Sequence, residues 1–327
     1  MNIMVLSCGT RVLLMQYFKK QLLGKGRLIA TDCNPLAPAL FEADAYYVVP
    51  RIDHPNYITN LLSLCEKEKV DAVLTLIDPE ISLLAKNKEL FAAAGVTVLT
   101  SSYEAVECSF NKMEMYRFCR DNGIRAVASF ETLEAAEAAL KEGSISFPLF
   151  VKPVCGSCSK QAQKVDDLEA LRFLCKQDSD LMIQEFMEGN EIGADVYVDG
   201  IIGKAVSIFT KKKILMRAGE TDKSVSFIDE KLFAFIKNFV ELRGYRYQID
   251  IDLFEKNGNY YISEVNPRFG GGYPHAYECG CDFTALIVRN LEGQPNEEKL
   301  GAYPEDVFMM KYPAIQIIKS VQIIKGL

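Results

Sequence analysis

Two hydrophobic rhythms alternate over residues 1–100. Short apolar, β-branched runs have the length and composition of buried strands: "NIMVLSC" (2–8), "RLIATDC" (27–33), "AYYVVP" (45–50), "VDAVLTLID" (70–78) and "VTVLTS" (96–101). Between them, "RVLLMQYFKKQLL" (11–23), "NYITNLLSLCEKEK" (56–69) and "PEISLLAKNKELFAAAG" (79–95) repeat apolar residues at helical spacing. This alternation predicts a parallel sheet with helices on its faces. The first turn, "SCGTR", holds one glycine. A dinucleotide fingerprint needs three, so a nicotinamide cofactor is not expected there, although Asp32 ends the second strand.

From about residue 101 the pattern changes. "SYEAVECSFNKMEMYRFCRDNG" (102–123) reads as one helix stopped by Gly123, and "FPLFVKPV" (147–154) as a strand. "DDLEALRFLCKQ" (166–177) is a helix and "DLMIQEFM" (180–187) a strand. "NEIGADVYVDGIIGKAVSIFTKKKIL" (190–215) predicts antiparallel strands around the turn "VDGI". A helix over 229–244, a hairpin around "KNGN" (256–259), a helix over 277–293 and short strands in the tail from 306 complete the pattern.

A chain of 327 residues exceeds what one core usually holds, so two or three domains are expected. The net charge of −7 argues against nucleic acid or an anionic membrane as partner. No apolar run reaches bilayer-spanning length, and "MNIMVLSCGTR" reads as a strand rather than a leader. The ten cysteines fall mostly in apolar patterns and suit free thiols in a cytoplasmic protein. "CGSC" (Cys155, Cys158) and "CGC" (Cys279, Cys281) form a weaker, alternative zinc pattern. With only His54 and His275 present, histidine-based catalysis has few candidates.

One stretch concentrates chemistry. In "YYISEVNPRFGGG" (260–272), Glu264, Asn266 and Arg268 alternate, so an extended backbone sets them on one face. Two oxygen ligands and a cation beside a glycine run suit a metal ion that bridges phosphates. Upstream lie Lys112 in an early helix, Lys152 before the small-residue loop "KPVCGSCSK", and the acidic strand end "IQEFMEGNE". In this order the features resemble the ATP-grasp superfamily, and most closely single-module proteins similar to the large subunit of carbamoyl-phosphate synthetase. "RAGETDKS" (217–224) also fits that pattern.

The resemblance implies an α/β chain. A Rossmann-like parallel sheet (pre-ATP-grasp, 1–100) precedes an ATP-grasp fold of two α+β subdomains (101–327), with a lid over about 125–187. It implies that Lys112 and Lys152 contact nucleotide phosphates, and that the loop Gly156–Lys160, with Ser157 and Ser159, covers them. Cys158 and Gln161 stand where the family often has glycine, which would stiffen that loop. Glu185, Phe186 and Met187 are implied at the adenine, Glu191 at the ribose, and Arg217 near the nucleotide. Asp252, Glu264 and Asn266 are implied magnesium ligands (manganese being an alternative ion), with Asp250 as the fallback. Arg268 is implied at the transferred phosphoryl group or a substrate carboxylate, and "YPHAYECGCD" (273–282) along the substrate pocket.

The activity so implied is an ATP- and magnesium-dependent ligase joining a small carboxylic acid to an amine through an acyl phosphate. The alternatives are a kinase-like phosphotransferase and a non-catalytic ATP-binding subunit. The expected partners are small-molecule substrates, without nucleic acid or membrane, in an assembly that could be a homodimer. Because only one module is present, carbamoyl phosphate synthesis by this chain alone is not expected.

Overall fold

The computed structural model describes residues 1–156, 162–178, 180–189 and 191–319. The first sheet is parallel. Its strands are β1 (Asn2–Leu6), β2 (Arg27–Asp32), β3 (Ala45–Val48), β4 (Ala72–Thr75) and β5 (Thr97–Val98), in the order β3-β2-β1-β4-β5. β1 is apolar and buried from Ile3 to Leu6 because both its faces are covered. Ile3 and Val5 enter one core with Met15 and Phe18 of the helix Val12–Leu22, while Met4 and Leu6 enter another with Tyr57, Leu61 and Phe91. The strand order reverses between β1 and β4. The loops that follow them, carrying Arg11 and Asp78, therefore flank one crevice at the carboxyl edge of the sheet.

Several expected elements are shorter than their apolar patterns: the helix expected over 79–95 breaks at Asn87, and that over 277–293 begins only at Phe283. The strand expected through Asp78 stops at Thr75, and Asp78 opens the helix Asp78–Lys86, where Pro79 occupies a first-turn position that needs no N–H donor. The single helix expected over 102–123 is two, Tyr103–Phe110 and Lys112–Asp121. Between them, the Asn111 side-chain oxygen accepts from the N–H groups of Met113 (3.0 Å) and Glu114 (3.1 Å), an N-cap that places Lys112 in a first turn.

A small antiparallel sheet follows: β6 (Ser129–Phe130), β7 (Leu149–Pro153), β8 (Gln163–Val165) and β9 (Leu181–Glu185), in the order β6-β9-β7-β8. Leu149, Val151 and Ile183 pack with Ala136 and Leu171 from its two helices. Strand alternation leaves Phe150 and Lys152 on the other face. The large antiparallel sheet contains β10 (Glu191–Val198), β11 (Ala205–Arg217), β12 (Glu220–Phe227), β13 (Tyr247–Lys256), β14 (Asn259–Asn266) and β15 (Phe308–Met310), ordered β14-β13-β10-β11-β12-β15. Ile192, Val196, Ile249 and Ile251 share a core with Ile236 and Phe239 of the helix Glu230–Arg243.

The "KNGN" hairpin forms as expected, with Asn257 and Gly258 both at positive φ (54° and 73°) as a tight primed turn requires. "VDGI" instead lies in the longer connection 199–204. "RAGETDKS", noted only for its chemistry, supplies the end of β11 and most of β12. In the tail, β15 is a strand, and residues 320–327 lie outside the described residues.

The parallel sheet is firmly joined to the rest. The Tyr17 ring stacks on Tyr277 at 3.5 Å and its hydroxyl donates to Glu278 at 2.8 Å. Residues 273–282 serve this packing rather than a substrate pocket: Tyr273, His275, Ala276, Cys279 and Cys281 are all buried. Cys155, by contrast, is exposed, and Cys158 lies outside the described residues. Among the described residues, no helix is long and apolar enough to cross a membrane.

His275 makes this core sensitive to pH. Its Nδ1 lies 2.8 Å from Ser224 Oγ and its Nε2 3.0 Å from the Val307 carbonyl. Burial, with help from Lys211, lowers its pKa to about 4. As pH falls, the unfolded chain binds the proton first, so stability is lost between about pH 6.5 and 4. Urea unfolding at pH 7 and pH 5 should differ by about 2 kcal/mol through this group. His275→Gln should flatten that part of the profile; an unchanged slope would show that another group carries it.

Candidate active site

A cavity of about 850 Å³, within the usual range for small-molecule sites, opens between the small sheet and the polar face of the large one. The segment Phe186–Gly189 links β9 toward β10 along its wall. Phe186 and Met187 line it, with the Lys164 ammonium 5.4 Å from the Phe186 ring centre. Glu185 also borders the cavity, but its carboxylate is paired with Lys256 at 2.5 Å.

Two lysines reach in from different elements. Lys152 on β7 is almost wholly buried, and no hydrogen bond or ion pair among the described residues holds its ammonium. Burial lowers its pKa, as does Lys112, while Glu264, Asp252 and Glu191 oppose that effect. Lys112 donates to the Gly156 carbonyl at 2.7 Å, at the entrance to the small-residue loop. Ser157 and Ser159 of that loop lie outside the described residues.

The acidic group comes from three neighbouring strands. Asp252 on β13 lies directly opposite Glu264 on β14, and Asp250 opposite Asn266. A β-bulge at Ser263 shifts the register here. It allows Ile262 and Val265 both to face the core while Glu264 and Asn266 face the cavity. Lys213 of β11 bridges Glu191 (2.8 Å) and Asp252 (2.5 Å). Burial alone would lower the Lys213 pKa; Asp252, Glu191 and Asp250 outweigh it and raise it. Burial and Asp252 raise the Glu191 carboxyl. Asp250, buried and facing Asp252 and Asp195, is pushed up to about 7.

These groups suit a hard divalent ion. Glu264 and the Asn266 amide face the cavity without a hydrogen-bond partner among the described residues. Among the described residues, no three His, Cys, Asp or Glu side chains form a self-sufficient metal cage. Two carboxylates and an amide instead make an open oxygen set, of the kind magnesium completes with phosphate oxygens and water.

Arg268 lies beyond the end of β14, in a turn where its N–H donates to the Asn266 carbonyl at 2.7 Å. It lines the cavity, but its guanidinium is already engaged: Nε and Nη2 donate to the two oxygens of Asp78 at 2.8 and 3.0 Å. Arg217 is not brought to the site. It is 70% exposed and pairs with Asp222 at 3.3 Å; its neighbours Met216 and Ala218 line the cavity, but its own side chain turns to solvent.

Sequence reasoning missed Lys213 and Lys211, Asp78 and Arg11. Lys211 forms a buried ion pair with Asp195. A clue was present in "TKKKIL", where two lysines of one strand alternate toward the same face. Asp78 and Arg11 each follow a parallel strand at the order reversal, a position that becomes visible only once strand order is known. A second hollow, of about 900 Å³, lies against Tyr260 and Phe227 on the other side of the Phe186–Gly189 segment. None of Lys152, Glu191, Asp252, Glu264 or Arg268 lines it.

The Asp78–Arg268 pair should carry measurable stability. Asp78→Ala leaves a buried guanidinium without its carboxylate and should cost about 3–5 kcal/mol in urea unfolding. Adding Arg268→Met should recover much of that loss. A cost below about 1 kcal/mol for the single substitution would mean that the pair does not hold the turn.

Comparison with known proteins agrees with this architecture. Residues 3–99 match the model of the PylC-like N-terminal domain, and residues 109–272 that of the ATP-grasp domain. The carbamoyl phosphate synthase large chain of a Thermoanaerobacter species is 24% identical over 301 residues, covering 81% of this chain and 26% of that relative. The phosphoribosylamine–glycine ligase of Helicobacter pylori is 27% identical over 140 residues, covering 42% and 32%. The chain thus spans about a quarter to a third of the length of these relatives. Among solved structures, the biotin carboxylase domain dimer of Hydrogenobacter thermophilus 2-oxoglutarate carboxylase, in complex with MgADP, ADP and bicarbonate, superposes with a TM-score of 0.73 at 15% identity, covering 94% of this chain and 73% of that one. The N5-carboxyaminoimidazole synthetase of Staphylococcus aureus with ADP gives 0.72 at 14% identity, covering 91% and 78%. The chain is a distant relative of carbamoyl phosphate synthase large chains over most of its length, and it belongs to the ATP-grasp family, with a PylC-like N-terminal domain.

Proposed function

We propose that this chain is a carboxylate–amine ligase that activates an acid as its acyl phosphate. The observation that carries this reading is the cavity itself: Lys152 from β7, Lys112 from the helix Lys112–Asp121, and Glu264, Asn266 and Arg268 from the end of β14 and the turn after it all line one space. In this reading residues 101–327 form the ATP-grasp unit, and about 125–187 its lid. The MgADP and ADP bound in the similar biotin carboxylase and synthetase structures support a nucleotide in the corresponding space.

Each residue then has a task that fits its surroundings. The Phe186–Met187 segment and Phe254 flank the adenine, and Glu191 accepts from the ribose hydroxyls. Lys152, buried and unpaired, gains a phosphate partner, and Lys112 approaches from beside the loop. Asp252, Glu264 and Asn266 hold magnesium, with Asp250 beside them; when bound, that ion neutralises phosphate charge. Arg268, held in place by Asp78 and by the Phe269 carbonyl, which accepts from its Nη1 at 3.2 Å, presents its remaining N–H donors to the transferred phosphoryl group or the acid.

A carboxylate oxygen attacks the γ-phosphorus, the bond to the β-phosphate oxygen breaks, and ADP leaves. The amine nitrogen then attacks the acyl carbon, phosphate departs, and the nitrogen gives up a proton. Catalysis here is positioning and charge compensation, so no nucleophilic side chain is required. Closure of the lid protects the anhydride from water.

Lys152→Ala should weaken MgATP by ten- to a hundredfold, the worth of about one charge-assisted contact, while changing adenosine affinity little. Equal losses for both ligands in calorimetry would move Lys152 away from the phosphates. Glu264→Gln should lower turnover at least about a hundredfold in a folded protein. In a screen of small acids for substrate-dependent ADP release, hydroxylamine should trap the activated acid as a hydroxamate. ADP with a stable phosphorylated product and no hydroxamate would replace the ligase reading with a phosphotransferase.

A further inference from the structure

The two edges of the large sheet are finished differently. Along β14 the chain itself covers the edge: Val127 N–H donates to the Ile262 carbonyl and Ile262 N–H to the Arg125 carbonyl, both at 3.0 Å. β15 lies at the other side of the sheet, and among the described residues no strand pairs with its outer edge. Its register shows which groups are left over. Met309 lies opposite Ser224, Lys311 N–H donates to the Asp222 carbonyl at 2.9 Å, and Ser226 N–H donates to the Val307 carbonyl at 3.0 Å. Residues 307, 309 and 311 therefore bond β12. The alternation of an antiparallel ladder turns the N–H and C=O groups of Phe308, Met310 and Tyr312 to the open edge.

The side chains on this edge are apolar and open to solvent: Phe308 is 60% exposed, Met310 65% and Tyr312 84%. A free strand edge is normally blunted by a charge, a proline or a bulge. Residues 308–310 hold none of these, and the adjacent Lys311 directs its ammonium to Glu220 at 3.0 Å. The open stretch is also bounded. Asp306, at a φ of 56°, breaks the extended backbone before it, and Pro313 follows it. Five residues, 308–312, are left able to accept a further strand.

We propose that this edge is an interface between two copies of the chain. β15 pairs antiparallel with the same strand of a second copy about a two-fold axis at Met310, which joins two six-stranded sheets into one. In that register Phe308 lies opposite the partner's Tyr312, Met310 opposite the partner's Met310, and Met309 opposite the partner's Lys311. The outward donors and acceptors of the five residues then meet one another, aromatic and thioether side chains meet their own kind, and no two like charges stand opposite. The strand supplies both halves of this match, which favours a second copy over an unrelated peptide.

Sedimentation equilibrium of the full chain tests this. It should show a dimer with a Kd of about 1–100 µM, in keeping with a small interface. Met310→Lys sets two ammonium groups opposite each other at the axis and should weaken the dimer at least about tenfold. Because Met310 is exposed, that variant should keep the parent's circular dichroism and urea midpoint. Met310→Pro removes the central outward N–H and none of those that bond β12, and should weaken the dimer to a similar degree. Cysteine pairs read the register, since directly opposed residues of a hydrogen-bonded pair lie about 5.5 Å apart, within disulfide reach. On mild oxidation Met310→Cys should give a covalent dimer that the parent does not, whereas Phe308→Cys should link to Tyr312→Cys and not to itself. A parent that stays monomeric at about 1 mM, the result if residues 320–327 or a different protein cover the edge, overturns the proposal. So does a dimer that Met310→Lys leaves unchanged, or a Phe308→Cys chain that links to itself.

Discussion

Carboxylates crowded onto one sheet face must be offset by cations or take up protons, and the architecture around the cavity follows from that constraint. Glu191, Asp250, Asp252 and Glu264 sit on adjacent strands of the large sheet. Lys213 answers two of them directly, and Asp250 is pushed up to about 7 because burial and the neighbouring Asp252 and Asp195 outweigh Lys211 and Lys213, with Arg268 Nη1 3.9 Å away. Lys211 neutralises Asp195 one step deeper. Both lysine stems cross the sheet face above Gly193, where a Cβ would meet them at 3.0 and 3.1 Å. The open oxygens of Glu264 and Asn266 are what remains uncompensated, and they point into the cavity.

The same electrostatics joins the parallel sheet to the rest of the chain. Among the ion pairs that cross the boundary, two of opposite sense lie at the cavity. Arg11 reaches from the first sheet to Glu220, and Arg268 reaches from the turn after β14 to Asp78. Both partners on the first-sheet side come from loops beside β1 and β4, where the order reversal leaves a crevice. Asp250 also has a steric neighbour here: a Cβ on Gly270 would lie 2.5 Å from its carboxylate, so the glycine run is a packing requirement as well as an opening. Apolar packing of Tyr17 and Phe18 against Tyr277 and Phe269 holds the boundary in register, so that charges on either side meet.

Much of this was legible in the chain. Consecutive apolar runs marked the parallel strands, because a strand covered on both faces has no polar side to display. Alternation over "YISEVNP" assigned Glu264 and Asn266 to one face, and "KNGN" identified the turn that brings Asp252 across from Glu264. These are local properties: strand period, turn chemistry and residue type act within a few residues. The helix break at Asn111 was local too, but it passed unnoticed because the apolar pattern runs on through it and only the cap reveals it.

What the sequence by itself determined is the class of fold, the order of its elements and the oxygen-bearing side chains that β14 carries on one face, since each depends on neighbours in the chain. Tertiary structure alone decided which distant charges meet. Asp78 and Arg268 are separated by 190 positions, and no periodicity relates them. It also decided that residues 273–282 would be core, because the aromatic rings there find partners on the helix Val12–Leu22. Arg217 was left outside because register shifts between Lys213 and Met216 break the alternation of β11, so that Met216 lines the cavity and Arg217 turns to solvent, whereas Lys213, four residues earlier on the same strand, is held under two carboxylates. The physical reason is common to all three: Coulomb and packing energies depend on separation in space, which a chain sets only when its sheets have come together.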